Sequence, residues 1–239
     1  MLQLFIVENI PDRGDVVIEG DEAHHVGVAR IKVGERVSVT NGSGRRAEVE
    51  VLDINKRNVG CRILEVTDEP RPKTILTIVQ ALTKGDRARE TIELLTEGGA
   101  EIIIPWQAAN SIGQWKEEKD ALTKWKSWAK EATKQSRRSW IPQILDLHST
   151  AQLKTRIQDG EFTVVFHEAS PNKLSEILVG TPPKEITLII GPEGGVTEDE
   201  LAGFISAGAQ SALLGQPVFR SAHAGVAALS AVQTGFKIW

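Results

Sequence analysis

Apolar positions in the first 69 residues come in short runs broken by turn residues. Met1-Leu2-Gln3-Leu4-Phe5-Ile6-Val7 is a first predicted strand and Val16-Val17-Ile18 a second. Asp21-Glu22-Ala23-His24-His25 begins a short helical turn that runs to Arg30. Arg36-Val37-Ser38-Val39-Thr40 alternates with period two, and Asn41-Gly42 is a hairpin signal. Ala47–Val51 and Val59–Val66 supply later strands, so this part of the chain predicts a compact β-barrel. Asp68-Glu69-Pro70-Arg71-Pro72 then marks a boundary, because two prolines at alternate positions stiffen a linker and disfavour helix before each of them.

Beyond the boundary the rhythm changes to strand–helix–strand. An apolar strand, Thr74–Gln80, leads through Lys84-Gly85-Asp86 into a helix over Arg87–Glu97, which Gly98-Gly99 closes. Ala100–Pro105 is the next strand, and Asp120–Arg138 a helix with Trp125, Trp128, Ala129 and Ala132 on its apolar side. Lys126, Lys130 and Lys134 recur every fourth residue and share a face, the spacing of a solvated helix side. Phe162–Phe166 is another buried strand, followed by a helix and a Pro-Pro turn over Pro171–Lys184. Thr187–Ile190 is a further strand, and Thr197 with Glu200 forms a capping box for the helix after it. Gly208 stops that helix; Ala212-Leu213-Leu214 and a small-faced terminal helix over Ala224–Phe236 complete the chain. Such alternation predicts an α/β domain with a parallel sheet over residues 73–239, preceded by a β domain over 1–70.

The 239 residues are enough for a real core, and 25 % charged with 41 % apolar residues is ordinary for a globular protein. The formal net charge of −4 argues against a wholly basic nucleic-acid binder without excluding local basic surface. A lone Cys61 rules out an internal disulfide and is expected to be a buried small hydrophobe. His24-His25 has no third ligand near it in sequence, so no metal is expected. No charged-then-apolar leader opens the chain and no apolar run approaches membrane-spanning length, so a cytoplasmic protein is expected.

Candidate chemistry concentrates in two strand-end loops, Gly191-Pro192-Glu193-Gly194-Gly195 and Gly215–Arg220. Their glycines permit backbone angles and close approaches that side chains forbid, so the pair predicts one pocket built largely from backbone. Two ordinary strand-to-helix turns would give the same pattern. The loops lack the Lys-Ser/Thr ending of a Walker sequence and the spacing of a Rossmann fingerprint. The spaced set IGPEGG, a capped helix, LGxxVxR and an alanine-rich terminal helix resembles the RsmE-type 16S ribosomal RNA uridine-N3 methyltransferases of the SPOUT (trefoil-knot) superfamily. His24–Glu35 similarly resembles that family's PUA-like N-terminal domain, and Glu131-Ala132-x-x-Gln135-Ser136-Arg137-Arg138 its EAxxQSxR signature.

This resemblance implies a PUA-like barrel before a knotted α/β domain that binds S-adenosylmethionine and dimerises through its C-terminal domain. It places Phe166, His167 and Glu168 on a first cofactor loop, Leu188, Ile190, Gly191, Pro192, Glu193, Gly194 and Gly195 on a second, and Leu214, Gly215, Val218, Phe219 and Arg220 on a third. Glu193 either receives ribose hydroxyls or holds its loop. Arg220 is expected at an RNA phosphate or the uracil carbonyl, and His223 is a candidate base because histidine titrates near neutrality. Arg30, Arg45, Lys84, Arg87, Gln135, Arg137 and Arg138 are expected to contact 16S RNA, arginine being suited to bidentate phosphate contact. Two departures stand out: Asn110 replaces an arginine common in relatives, and Ala222 a glutamate. Methylation of a ribose 2′-hydroxyl or of another base, and a non-catalytic RNA-binding assembly factor, remain alternative readings of the same residues; a nucleotide-dependent oxidoreductase lacks its fingerprint.

Overall fold

A computed structural model describes residues 2–84, 87–115 and 120–239; Gly85 and Asp86 of the Lys84-Gly85-Asp86 run lie outside them. The chain opens with β1 (Leu4–Ile6), β2 (Asp15–Glu19), α1 (Gly20–Val28), β3 (Arg36–Thr40), β4 (Arg45–Ile54) and β5 (Asn58–Asp68). There follow β6 (Ile75–Ala81), α2 (Arg87–Glu97), β7 (Ile102–Gln107), α3 (Ala121–Ser136), β8 (Gln143–Ile144) and β9 (His148–Ser149). The remainder is α4 (Thr150–Asp159), β10 (Phe162–Phe166), α5 (Leu174–Ile177), β11 (Glu185–Ile190), α6 (Glu198–Ala207), β12 (Gln210–Ala212) and α7 (Ser221–Gly235). Two compact units result: Met1–Arg71 with Thr133–Ile141, and Pro72–Ala132 with Pro142–Trp239.

In the first unit one sheet has the order β1-β3-β4-β5-β2, antiparallel apart from the β1–β3 pair. Its core is Phe5, Ile18, Val26, Val37, Val39, Val49, Val59 and Cys61. Burial, with the Asp53 carboxylate adding to it, pushes the Cys61 thiol up to about 11. The folded protein should therefore leave a disulfide reagent unreacted at pH 8 and release its thiol only on unfolding; fast labelling of native protein would show the strand open. Because the folded value is raised, this contribution to stability is complete below the ordinary 9.0 and is lost as pH rises toward 11.

Thr133–Ile141 joins this unit through backbone as well as side chains. The carbonyl of Ser139 accepts Gly44 N–H at 2.9 Å and Thr40 Oγ1–H at 3.2 Å, and Ile141 N–H donates to Gly42 O at 2.9 Å. Here the structure corrects the solvated lysine face: Lys126 and Lys130 are exposed, but Lys134 is buried. Its ammonium donates to Glu22 Oε1 at 2.9 Å and lies 3.1 Å from His25 Nδ1. Helix α3 stops there because Arg137 turns left-handed (φ +57°), with Arg137 N–H on Lys134 O and Arg138 N–H on Thr133 O, a Schellman closure.

The second unit is a parallel sheet in the order β12-β10-β11-β6-β7-β8, with β9 also on β7. Period-two alternation sends Leu76, Ile78, Ile103, Val164, Ile186 and Leu188 to one face, under α2, α3 and α7. Val79, Ile104, Trp106, Val165 and Ile189 face the other way, against α4 and α6, where Trp106 meets Phe204 edge-on at 5.3 Å. Both faces are covered, which is why these strands read as unbroken apolar runs. The helix expected across Pro171–Lys184 is only the single turn α5, whereas α4, capped by Ser149 and Gln152, answers a capping signal that the periodicity reading passed over.

Candidate functional site

In an open α/β sheet the crevice for a ligand lies beyond the carboxyl ends of the strands, where the strand order reverses. β10, β11 and β12 end side by side, and their following loops enclose a cavity of about 560 Å³. Its lining is residues 166–168, 190–196, 213–215 and 217–221 together with Ala224. That volume falls in the range of small-molecule sites.

The glycine loop after β11 is held from several sides. Gly195 is left-handed (φ +77°), and a Cβ at residue 194 would sit 2.9 Å from the Asn110 Cβ, so both positions need glycine. Asn110 Nδ2 donates to Gly194 O at 3.1 Å and to Gly195 O at 3.2 Å. The next turn opens α6 with a complete capping box: Thr197 Oγ1 accepts Glu200 N–H, and Glu200 Oε2 accepts Thr197 N–H. The other oxygen of that buried Glu200 accepts Ala109 N–H at 2.9 Å and Thr150 Oγ1–H at 3.1 Å. One carboxylate thereby fixes both the end of the glycine loop and the segment carrying Asn110. On the far side, Ser221 Oγ donates to Gly191 O at 2.6 Å and accepts Gln80 Nε2–H at 3.1 Å. Gln80 is buried at the end of β6, so the start of α7 is tied through it to the centre of the sheet.

The expected cofactor residues gather as a group. Phe166, His167, Glu168, Ile190, Gly191, Pro192, Glu193, Gly194, Gly195, Leu214, Gly215, Val218, Phe219 and Arg220 all line the one cavity. Leu188 does not: it shares a face with Ile190 but lies two residues before the end of β11, where it is fully buried in the core beneath α7. Glu193 Oε1 accepts Lys84 N–H at 3.4 Å, which favours its loop-holding role. Arg220 is exposed on the cavity wall at the N-cap of α7. His223 is not part of the lining; its Nε2 lies 3.3 Å from Glu90 Oε1 on α2. Ala222 is buried.

The expected RNA residues are scattered in role. Arg30, at a left-handed helix end (φ +58°), and Gln135 are exposed in the first unit, and Arg137 and Arg138 are half-buried there. Arg45 departs from expectation, since its guanidinium is engaged by Asp12 and Asp68. Lys84 and Arg87 are exposed in the second unit. Sequence reasoning missed Val196, Leu213, Ser221 and Ala224 on the wall, and the roles of Gln80 and Asn110 behind it. Ser221 and Asn110 follow glycine loops or strand ends closely enough to have been suspected. Gln80, a polar residue ending an apolar strand, was a signal of the same kind.

Comparison with known proteins agrees with this arrangement. A family model described as an RNA methyltransferase domain matches residues 69–233, and one described as an RNA methyltransferase PUA domain matches residues 18–64. Ribosomal RNA small subunit methyltransferase E of Mycobacterium bovis is 35 % identical over 99 % of this chain and 93 % of its own length. The Bacillus subtilis protein of that name is 37 % identical over 90 % of this chain and 88 % of its own. In fold, the chain is similar to the crystal structure of ribosomal RNA small subunit methyltransferase E from Neisseria gonorrhoeae bound to S-adenosyl methionine, with a TM-score of 0.87 at 23 % identity, covering 98 % of both chains. The fold is thus a SPOUT-type α/β domain preceded in sequence by a PUA-like domain. Two domain matches in the expected order, with identity to whole relatives along nearly all of the sequence, place this chain in the ribosomal RNA small subunit methyltransferase E family.

Proposed function

We propose that this chain transfers the methyl group of S-adenosylmethionine to N3 of a uridine in 16S ribosomal RNA. One observation carries the reading: three separate strand-end loops converge on one ligand-sized cavity with Arg220 on its wall. The cavity suits S-adenosylmethionine by size and by its backbone-rich rim, and bound there the cofactor supplies an electrophilic methyl group. Residues 190–195 and 214–219 hold it through main-chain groups, while Phe166 and Phe219 offer apolar surface. The main contribution of the protein to rate is alignment of the acceptor nitrogen. Uracil N3 must lose a proton, and the resulting negative charge spreads onto the carbonyl oxygens. Arg220 stabilises that charge from the cavity wall. No carboxylate assists from residue 222, which is a buried alanine, and the imidazole of His223 is directed to Glu90, so neither position takes up the proton.

In this reading residues 1–70 bind RNA together with the segment 133–141, Arg30, Gln135, Arg137 and Arg138 contributing phosphate contacts, and the remainder of residues 73–239 performs the transfer. The working form is a cytoplasmic homodimer joined through the C-terminal domain. No helix among the described residues is long and apolar enough to cross a membrane. Nucleoside mass spectrometry of 16S RNA from cells with and without the gene tests the proposal. Loss of N3-methyluridine, restored by the wild-type gene, is expected. Loss of a different methylated nucleoside would move the target, and an unchanged spectrum would favour an RNA-binding assembly factor.

A further inference from the structure

A second cavity, of about 370 Å³, lies in the same unit and has a different chemistry. Three of the six tryptophans of the chain, Trp115, Trp125 and Trp128, line it with Leu82, Thr83 and Lys124. Trp125 is buried and braces Trp115 edge-on, with ring centroids 5.4 Å apart and planes at 71°. Trp115 and Trp128 are half-buried, each keeping surface on the cavity, and Lys124 is exposed beside them. Indole faces with an adjacent cation are the equipment by which proteins hold single-stranded nucleic acid: bases stack on the rings and the ammonium meets phosphate. A core cluster would have no use for the lysine, and a purely electrostatic surface no use for the tryptophans.

Continuity with the glycine-loop cavity says which nucleic acid this is. Leu82 and Thr83 line the tryptophan cavity, and the next residue, Lys84, donates its N–H to Glu193, which lines the other. A parallel link runs through residues 110–115. Asn110 binds the carbonyls of Gly194 and Gly195, Gly113 packs directly on Thr83 O, and Trp115 faces the second cavity. Two short stretches of backbone therefore separate the sites. An enzyme that methylates a ring nitrogen engaged in base pairing must take the base out of its stack, which leaves its neighbours unstacked as well.

Building on the reaction proposed above, we propose that the tryptophan cavity binds an unstacked nucleobase of the RNA flanking the methylated uridine, with Lys124 on the adjoining phosphate. The base stacks on Trp115 or Trp128, and the site contributes to RNA affinity rather than to the chemical step.

The test uses the full chain, tritiated S-adenosylmethionine and small-subunit RNA, comparing wild type with Trp115→Leu and Trp115→Phe. Trp115→Leu should raise KM for RNA roughly 5- to 100-fold, the range of a lost base–aromatic stack, with kcat and cofactor affinity near wild type. Trp115→Phe should recover most of that loss, because it keeps an aromatic face. An unchanged KM in Trp115→Leu overturns the proposal. So does equal impairment of both variants with weakened cofactor binding, which would mean a packing role. If wild type binds the cofactor but labels no RNA, the reaction reading fails. The cavity is then judged by quenching of tryptophan fluorescence with oligouridylate: quenching lost in Trp115→Leu sustains the base site, and quenching retained overturns it.

Discussion

Replacing Arg220 by alanine is expected to lower methyl transfer about 100- to 1000-fold, the loss typical for removal of one donor to a developing negative charge. The side chain stands on the wall of the glycine-loop cavity, where a guanidinium can address both a carbonyl oxygen and a phosphate. Among the described residues its side chain has no carboxylate partner that would hold it for structural reasons, so little stability should be lost. Single-turnover assays at saturating RNA and cofactor separate the outcomes. A reduced rate with cofactor affinity within about tenfold of wild type is the expected result. A wild-type rate with collapsed cofactor affinity would reassign Arg220 to holding the methyl donor. Arg220→Lys should fall between, keeping the charge and losing the planar fork.

The second large effect is on stability. Lys134→Ala is expected to destabilise the protein by about 3–5 kcal/mol, because it strands the Glu22 carboxylate in the interior. The two side chains are 7 % and 8 % exposed and meet at 2.9 Å, so water cannot take over the missing partner. Glu22 also accepts Ile6 N–H at 3.2 Å, which couples the ion pair to the first strand of the sheet. Chemical denaturation of the first unit, followed by a probe local to it, measures the loss. The paired replacement Lys134→Met with Glu22→Leu should recover most of it, since removing both charges also removes the cost of burying them. Equal loss in the single and paired variants would show that shape rather than charge is what the site requires.

Why Lys134 was misread is instructive. Its spacing with Lys126 and Lys130 is the spacing of a solvated face, and along an isolated helix nothing distinguishes the three. What differs is the helix's surroundings: its last turn belongs to the first unit while the rest belongs to the second. Burial there depends on Glu22 and His25, more than a hundred residues earlier in the chain. Arg45 likewise has partners, Asp12 and Asp68, that are distant in sequence and meet it only in the folded chain. Leu188 is a different error. The strand was correctly placed and Leu188 shares a face with Ile190, but only the residue at the strand end reaches the cavity, while the one two positions earlier is covered by α7.

Local sequence determined the element types around the site, because those depend on short-range chemistry. Glycines impose the turn at 191–195, the Thr197–Glu200 pair caps α6, and unbroken apolar runs mark strands buried on both faces. It also carried the family motifs, which pointed to the loops that line the cavity, Leu188 apart. Only the tertiary structure decided which polar groups serve the loops and which serve the fold. Gln80, Asn110, Glu200 and Ser221 act through partners up to 141 residues away, and no periodicity encodes a hydrogen bond across such a distance. The tryptophan cavity belongs with them: its residues lie on three separate stretches of chain, and packing alone brings their faces together.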